Sequence, residues 1–597
     1  MAKRTKKEIK ETPAQRLSGI VKRCRNIMRK DKGLNGDADR LPMLTWIMFL
    51  KFLDDNEIVE EAKKKLKGEK HKPLIPAPYR WRDWAGNEEG MTGDDLLDFI
   101  NNETCKLPNG KLGKGLFYYL RGLVSEEGNQ REDVLVTVFK GVNNRMINGY
   151  LLRDVLEKID EIHFTSNEEI NTLSHLYESL LREMRDASGD AGEFYTPRPV
   201  VQFMVEKIDP QIGETILDPA AGTGGFLVAA FDSLKKQAKT VEQLETLQLE
   251  SIKGGEAKPL PYLLCQMNLL LHGLEYPQID SGNSLRHRLN EIGDNERVDI
   301  ILTNPPFGGE EERGILNNFP KDKQTAETTL LFIQLILRKL RRKTATQRGG
   351  RAAIVVPNGT LFADGIAARI KEQMLKDFNL HTVIRLSEGV FAPYTDIPAN
   401  LLFFEQGEPT TDIWFFDIPT PEGRKKYSKT KPMMPEEFDT LRKWWDKRKE
   451  TELAWKVDFA GILEEKTTEA QPFWDIAEAA KAKSEKLKEK VDQQKKALKE
   501  LEDKEKEALQ KEIRANEKKI RALDAEEKEN QSKGDAIYYA AFNLDIKNPN
   551  QKDKFEYKEP SLLVSQIVER ENQINGLIQE IQSIVTTNGA IKKVEHE

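Results

Sequence analysis

Short apolar runs alternate with longer amphipathic segments between about residues 215 and 405, and this alternation constrains the fold more than any other feature. The runs have the length of strands, and the segments between them repeat apolar residues at the helical period. Such alternation favours an α/β fold in which helices connect the strands of a doubly wound sheet. We predict strands at 215–217, 298–303, 352–356, 382–386 and 400–405, with helices around 225–238, 259–272, 326–341 and 365–377.

A glycine-rich turn follows the first predicted strand, in the segment ETILDPAAGTGGFLVAA (residues 214–230). The strand ends at Asp218, and Gly222, Gly224 and Gly225 precede the next helix. Glycine is needed where the backbone adopts a positive φ or approaches a ligand closely. A strand, a tight glycine turn and a helix form the nucleotide-binding corner of many α/β sheets. No GK[ST] sequence follows the turn, so a nucleoside triphosphate is not favoured.

A second motif, Asn304-Pro305-Pro306-Phe307, comes directly after the predicted strand at 298–303. An amide or exocyclic amine nitrogen is a weak nucleophile because its lone pair is delocalised. The Asn304 side-chain oxygen and the Pro305 carbonyl can each accept one N–H, which would aim that lone pair at an electrophile. The fixed φ of proline holds these acceptors in place. Phe307 can stack on a planar base, an interaction worth roughly 1–3 kcal/mol.

The two motifs lie 86 residues apart, from Asp218 to Asn304, and resemble those of amino-directed DNA methyltransferases that use S-adenosyl-L-methionine. The resemblance covers most of the chain and is closest to the modification (M) subunit of type I restriction–modification systems. It implies a Rossmann-like methyltransferase core with a helical N-terminal domain and a long helical C-terminal region. It also implies transfer to adenine N6, because Asn rather than Ser precedes the two prolines. The target base must flip out of double-stranded DNA to reach Asn304.

The resemblance implies that three segments bind S-adenosyl-L-methionine. In this family the loop GEFYTPRPV (residues 192–200) closes over the methionine part, and an acid after the second strand, here Glu256, binds the ribose hydroxyls. Asn283, in SGNSL, stands where many amino methyltransferases carry Asp. The ranges 351–358 and 383–391 match later strands that shape the base pocket, although core packing is the simpler interpretation of their apolar residues. The implied cofactor-binding residues are Glu193, Phe194, Tyr195, Thr196, Pro197, Arg198, Asp218, Ala220, Gly222, Thr223, Gly224, Gly225, Glu256 and Asn283; the implied catalytic residues are Asn304, Pro305, Pro306 and Phe307.

The chain outside the core is predicted to be mostly helical. We predict a helical N-terminal domain at 1–165, the methyltransferase core at 166–420, a connecting region at 421–474, and a long charged helix with a helical tail at 475–597. Between residues 475 and 530 there is no Gly or Pro, and an apolar stripe repeats every 11 residues. A stripe of this period stays on one helix face, which is either exposed to solvent or, as we favour, packed on a partner. The stripe consists of Leu487, Leu498, Leu509 and Ile520, and a second apolar-periodic segment covers 562–584.

Charge and cysteine content indicate which kinds of binding site and which cellular compartment are compatible with the chain. The 93 basic and 99 acidic side chains leave a net charge of −6, which does not support autonomous nucleic-acid binding. Residues 1–33 are locally basic, with 12 Lys/Arg and 3 Asp/Glu, and form either a phosphate-contacting arm or a solvated leader. Cys24, Cys105 and Cys265 lie far apart, which predicts no zinc site and fits a reducing compartment. With no signal-peptide pattern and no membrane-length apolar run, we expect a cytoplasmic protein of a bacterial or archaeal cell.

Target recognition is expected to come from another subunit. The interval between Asp218 and Asn304 has no room for a target-recognition domain, and after residue 405 about 70 mixed residues lead into charged helices. The resembled family uses a separate specificity (S) subunit, with two M chains bound to one S chain, and a restriction (R) subunit can join. The long charged helix is then a natural docking element for S.

Two other functions compete with this interpretation. Protein methyltransferases acting on a glutamine amide also use an NPP-aromatic motif, although their chains are usually shorter and usually end the motif with Tyr. A degenerate methyltransferase fold could instead serve as an inactive scaffold. The intact glycine turn and Asn304 argue against the scaffold.

Overall fold

The computed structural model describes residues 13–87, 90–123, 130–164, 167–187, 195–498, 503–550, 565 and 568–579. The chain divides into two compact units, residues 1–548 and 549–597. In the smaller unit residues 568–579 are helical, within the apolar-periodic segment identified in the sequence. None of the described helices combines the length and apolar composition that a membrane crossing requires.

The N-terminal part is mostly helical, with one two-stranded antiparallel hairpin. Its elements are α1 (Pro13–Met28), α2 (Asp37–Lys67), α3 (Trp81–Trp84), α4 (Gly93–Asn101), β1 (Thr104–Lys106), β2 (Leu112–Lys114), α5 (Leu116–Arg121), α6 (Gln130–Lys140), α7 (Gly149–Asp160) and α8 (Asn167–Ala187). The apolar half of α2 is buried on nearly every side, because Trp46, Phe49 and their neighbours pack among the surrounding helices. The basic leader is helical from Pro13, and Arg23 and Arg25 form ion pairs with Glu161 and Asp37. Residues 1–12 lie outside the described residues.

A nine-stranded mixed sheet forms the centre of the larger unit, with the order β11-β10-β8-β9-β7-β6-β3-β4-β5. Its strands are β3 (Ile216–Asp218), β4 (Ile252–Gly255), β5 (Gln278–Asp280), β6 (Ile300–Thr303), β7 (Arg351–Pro357), β8 (Phe378–Arg385), β9 (Ala399–Gln406), β10 (Asp412–Asp417) and β11 (Ala454–Asp458). The helices of this part are α9 (Arg198–Ile208), α10 (Gly225–Gln237), α11 (Val241–Thr246), α12 (Pro259–His272), α13 (Arg313–Leu316), α14 (Thr328–Lys339), α15 (Asn358–Phe362), α16 (Ile366–Asp377) and α17 (Asp439–Trp445). The predicted α/β fold class is confirmed.

The strand order places a topological switch between β3 and β6. From β3 the chain adds β4 and β5 on one side, and it then returns to place β6 on the other side of β3. The two strands are parallel, with Ile216 opposite Ile300. Their carboxyl ends therefore lie side by side at one edge of the sheet, and ligands of open α/β sheets bind at such a point.

The sheet extends beyond the predicted core. The prediction of a connecting region at 421–474 is wrong for β11, which pairs antiparallel with β10 and forms the edge of the central sheet. The apolar side chains Trp455 and Val457 are buried in this strand. The strand was missed because it contributes only five residues after a charged, loop-like stretch.

The charged segment after the sheet forms two long helices rather than one. These are α18 (Phe459–Ala497) and α19 (Asp503–Ala540), which run antiparallel, as shown by the contacts of Trp474 with Asp535 and of Ser484 with Asp524. Val491, Ile513 and Ile520 are buried between them. The stripe predicted at 11-residue spacing thus packs against itself, because the chain reverses direction and each helix covers the apolar face of the other. Leu487, Leu498 and Leu509 complete this cluster.

Candidate functional site

A cavity of about 340 Å³ opens at the switch point, where Asp218 ends β3 and Asn304 follows β6. Its volume lies within the range of small-molecule sites. The sheet, the glycine turn and the segment after β6 therefore bring most of the predicted residues together. The predicted residues that line the cavity are Tyr195, Thr196, Asp218, Ala220, Gly222, Thr223, Gly225, Glu256, Asn283, Asn304, Pro305, Pro306 and Phe307.

Five predicted residues stand apart from this lining. Glu193 and Phe194 lie outside the described residues. Gly224 and Pro197 shape the backbone on either side of the cavity, at the turn and at the start of α9. Arg198, discussed below, lies behind the turn, so its predicted contact with the cofactor stays a prediction.

The glycine turn depends on the absence of side chains. Gly222 and Gly224 have φ angles of 55° and 77°, a region that other residues rarely adopt. A Cβ on Gly224 would lie 2.8 Å from the Cys265 sulfur, and one on Gly225 would lie 1.8 Å from the Arg198 Nη1 atom. The turn is therefore packed closely from behind, while its other side lines the cavity.

A buried ion pair supports the turn. Arg198 donates from Nε and Nη2 to the two carboxylate oxygens of Glu178 on α8, at 2.5 Å each. Burial raises the pKa of Glu178, but the charge and hydrogen bonds of Arg198 outweigh it and leave the pKa below its ordinary value. Asn268 on α12 donates both to Glu178 and to the Thr223 carbonyl, at 2.9 Å each. Helices α8, α9 and α12 are thus joined at the back of the turn.

Asp218 is almost completely buried at the tip of β3. Its Oδ1 accepts the Ala220 amide at 3.1 Å, which shapes the start of the turn. Burial raises the pKa of Asp218 to about 7. The carboxyl group therefore changes charge near neutral pH.

Glu256 lies at the end of β4 and holds the turn from the other side. Its two carboxylate oxygens accept the Gly222 amide at 2.9 Å and the Lys258 amide at 2.8 Å. Glu256 is buried but lines the cavity, which is consistent with its predicted contact to ribose hydroxyls.

Asn283 is engaged with neighbouring protein groups. Its Oδ1 accepts the Leu285 amide at 2.9 Å, and its Nδ2 donates to Glu311 at 3.1 Å. Glu311 lines the same cavity, and the sequence analysis missed it. Glu311, from the segment that follows the Asn-Pro-Pro-Phe motif, therefore places a carboxylate beside Asn283 at the cavity wall. Three consecutive glutamates after that motif were the only sequence signal.

The Asn304 amide is held at one end only. Its Nδ2 donates to the Thr196 hydroxyl at 3.2 Å, whereas its buried Oδ1 has no hydrogen-bond partner among the described residues. A buried polar atom without a partner is costly, so such an atom in a cavity indicates a ligand contact. The Oδ1 atom is therefore available to accept an N–H.

The rest of the motif is fixed by α14 and by an aromatic residue. The Thr329 hydroxyl donates to the Pro306 carbonyl at 2.8 Å. Phe307 packs edge-on against Phe391, with ring centroids 5.9 Å apart and an angle of 68° between the planes. Phe391 and Tyr394 both line the cavity, from the loop between β8 and β9. Phe391 ends a range that the sequence matched to the base pocket, whereas Tyr394 and Thr329 were missed.

Replacing Asp218 by Asn tests the effect of burial. The native carboxyl keeps its proton up to about pH 7, whereas in the unfolded chain it loses the proton near pH ~4. The parent protein therefore loses native-state stability as the pH rises from about 4 to 7, and the neutral Asn avoids this loss. We expect the melting temperature of Asp218→Asn, relative to the parent, to increase between about pH 5 and pH 7 and then to level off. Asp446→Asn, at an exposed carboxylate, is the control, and a pH-independent difference for Asp218→Asn would contradict the assignment.

Two family models match the chain. The N-6 DNA methylase model matches residues 168–472, and the HsdM N-terminal domain model matches residues 17–159. The first match contains the sheet and every described residue of the candidate site. The second lies within the helical N-terminal part.

Individual relatives agree with these models. The chain is 46% identical over 457 residues to the methylase subunit of the Escherichia coli type I restriction enzyme EcoEI, which covers 75% of this chain and 88% of that protein. A modification subunit assigned to a type I restriction enzyme of Vibrio vulnificus YJ016 is 66% identical, covers 75% of this chain and 93% of its own, and superposes with a TM-score of 0.69. A chain from a structural study of complex assembly in the type I restriction–modification system is 32% identical, covers 97% of this chain and 99% of its own, and has a TM-score of 0.68. The chain therefore belongs to the methylase subunits of type I restriction enzymes, a family of adenine-specific DNA methyltransferases.

Proposed function

We propose that the cavity binds S-adenosyl-L-methionine beside a flipped adenine, and that Asn304 holds the adenine N6 amine for methyl transfer. The observation that carries this proposal is the buried Asn304 Oδ1 atom, which no described residue hydrogen-bonds and which lies at a glycine-lined cavity. The match to N-6 DNA methylases favours adenine in DNA over a glutamine amide in a protein and over an inactive scaffold.

The residues of the cavity fit the cofactor. The positive φ angles of Gly222 and Gly224 shape a tight turn, and Gly222 and Gly225 line the cavity with backbone alone. Glu256 and Glu311 line the cavity with carboxylates, which suit the ribose hydroxyls and the adenine amine of the cofactor, and Asn283 places Glu311. Tyr195 and Thr196 line the cavity next to Asn304, where the methionine part would lie. When bound, S-adenosyl-L-methionine supplies an electrophilic methyl group.

The chemistry of the target amine follows from its acceptors. The Asn304 Oδ1 atom and the Pro305 carbonyl each accept one N–H of N6, which draws the nitrogen lone pair out of conjugation with the ring. Thr196 accepts a hydrogen bond from Asn304 Nδ2 and so orients the Asn304 Oδ1 atom towards the target amine. The Thr329 hydroxyl donates to the next backbone carbonyl, that of Pro306. In the transfer the N6 lone pair would form the new nitrogen–carbon bond as the methyl–sulfur bond of the cofactor breaks, with S-adenosylhomocysteine as the leaving group, and the cationic nitrogen would then release one proton to solvent. No strong general base is required, because a proton on the methylated, cationic nitrogen is acidic.

The base itself is held by aromatic side chains. Phe307 is partly exposed and can stack on a flipped base, while Phe391 supports it edge-on. Stacking of this kind contributes roughly 1–3 kcal/mol per base, which offsets much of the cost of unstacking.

Site selection is proposed to come from other subunits. We assign it to a specificity (S) subunit, with two copies of this chain per S chain and a restriction (R) subunit in the full complex. The relative solved in a study of type I complex assembly covers nearly the whole of this chain, which supports an assembled state. The hairpin of α18 and α19 is the proposed docking element. The two helices cover each other's apolar residues, and their polar outer faces remain exposed for a partner.

Asn304→Ala tests the catalytic proposal. We expect at least a 100-fold loss of N6-methyladenine formation in DNA when the variant is assembled with its S subunit, because an oriented acceptor is lost. Binding of S-adenosylhomocysteine, measured by calorimetry, should change little. Asn317→Ala, at an exposed asparagine in the same segment, should keep full activity. Adenine methylation near the parental rate by Asn304→Ala would reject the role of Asn304.

Glu311→Ala tests the proposed recognition of the cofactor's adenine. A hydrogen bond to a charged group is worth roughly 1.5–3 kcal/mol, so affinity for S-adenosylhomocysteine should fall about 10- to 100-fold. The parent should bind S-inosylhomocysteine, which lacks the amine, much more weakly than S-adenosylhomocysteine, and the variant should lose this discrimination. Glu312→Ala makes the same charge change at an exposed neighbour and serves as the control. Unchanged discrimination in Glu311→Ala would exclude this contact.

A shortened hairpin tests the docking proposal. Ser484 and Asp524 are hydrogen-bonded neighbours on α18 and α19, so a short Gly-Ser linker between them can replace residues 485–523. The deletion removes the whole apolar cluster of the distal hairpin and leaves the packing of Trp474 against Tyr538 intact. We expect the variant to bind S-adenosylhomocysteine normally but not to co-purify with its S subunit. Normal assembly and DNA methylation would place the docking surface elsewhere.

A further inference from the structure

A basic segment lies at the same edge of the sheet as the candidate site. Strand β10 is parallel to β8, and β8 and β7 both run antiparallel to the strand between them, β9. The carboxyl ends of β10, β8, β7, β6 and β3 therefore point to one edge. Residues 422–431 follow β10 at that edge, and we name them the basic loop. They contain five Lys/Arg side chains and one Glu.

The basic loop is anchored by buried side chains rather than extended freely. Tyr427 is fully buried, and its amide donates to the Glu388 carbonyl at 3.0 Å. Gly389 lies so close beneath it that a Cβ there would be 2.3 Å from the Tyr427 carbonyl oxygen. Ser428 and Lys431 exchange backbone hydrogen bonds across a tight turn. The loop thus has a defined position on the segment that joins β8 and β9.

That same segment lines the cavity. It carries Phe391 and Tyr394, which contribute to the cavity wall, and Asp396, which accepts a hydrogen bond from Lys426 Nζ at 2.6 Å. The basic loop therefore lies beside the cavity mouth, only a few residues from the side chains proposed to face the flipped base.

The basic loop presents exposed lysines at the protein surface. Lys426 is paired with Asp396, and Arg424 lies 3.8 Å from Glu437. The side chains of Lys425, Lys429 and Lys431 are exposed. Three exposed lysines on an anchored turn form a local positive patch, although the whole chain carries a net charge of −6. Exposed lysines bind phosphates by counterion release, with no need for base contacts.

We propose that Lys425, Lys429 and Lys431 bind backbone phosphates of the DNA strand beside the flipped adenine. The inference rests on the proposed function, since it takes DNA as the substrate of the neighbouring cavity. A phosphate on each side of an extruded nucleotide must stay close to the protein surface. The basic loop offers cations on the surface beside the cavity mouth. The contact is independent of sequence, because lysine contacts to phosphates carry no base information.

The test compares two charge-reversal variants of the full chain. The loop variant carries Lys425→Glu, Lys429→Glu and Lys431→Glu. The control carries Lys106→Glu, Lys111→Glu and Lys114→Glu, at exposed lysines of the β1–β2 hairpin in the N-terminal part, with the same change in net charge. Each protein is assembled with its S subunit, and binding of a fluorescein-labelled DNA duplex is measured by anisotropy between about 50 and 200 mM salt. A further triple variant with Gln at the three loop positions removes the charge without adding repulsion, and S-adenosylhomocysteine binding reports the integrity of each protein.

Each phosphate contact contributes about 0.9 to the slope of log K against log salt concentration. We expect both loop variants to lower that slope by roughly 2 to 3 and to weaken duplex binding at least 10-fold at low salt, with the control near the parent. Duplex affinity and slope equal to those of the parent would overturn the proposal, as would an equal loss in the control. Failure of the proposed function would be seen separately, as absence of N6-methyladenine when the parent acts with its S subunit.

Discussion

The parallel pairing of β3 with β6 is the constraint on which the site depends. Parallel strands have their carboxyl ends at the same edge, so this pairing places Asp218 beside the segment that begins at Asn304. Residues 86 positions apart in the chain thereby share one cavity. The buried ion pair of Arg198 with Glu178 and the bridging Asn268 then hold the glycine turn against the helices behind it. Loss of either arrangement would separate the proposed cofactor site from the proposed acceptor of the target amine.

Hydrogen bonding within the cavity follows a common pattern, in which one end of a polar group is fixed by the protein and the other is left for a ligand. Thr196 holds the amide nitrogen of Asn304, and no described residue hydrogen-bonds its oxygen. Glu256 accepts two backbone amides and lines the cavity. This arrangement fixes orientation before binding, so little rotational freedom of these side chains is lost when a ligand enters.

Local sequence was sufficient to predict the strands and helices whose apolar residues show a clear period. The predicted strand at 298–303 and the predicted helix at 259–272 were found with nearly the predicted bounds, because each has a period and a clear boundary. β11 was missed because a five-residue edge strand carries too little pattern. Glu311 was missed because its contact to Asn283 joins residues that only the folded chain brings together. The long helix was predicted as one because an 11-residue stripe is equally compatible with one straight helix and with two that pack against each other.

The sequence by itself determined the α/β class, the glycine turn and the Asn-Pro-Pro-Phe motif, because these depend on periodicity and on residue types with special backbone properties. Tertiary structure alone decided which polar atoms are already satisfied and which remain available. It showed that the apolar stripe of the charged segment is covered by the same chain and that a basic loop lies beside the cavity mouth. Such properties depend on contacts between distant residues, and those contacts follow from strand order and chain reversal rather than from any local pattern.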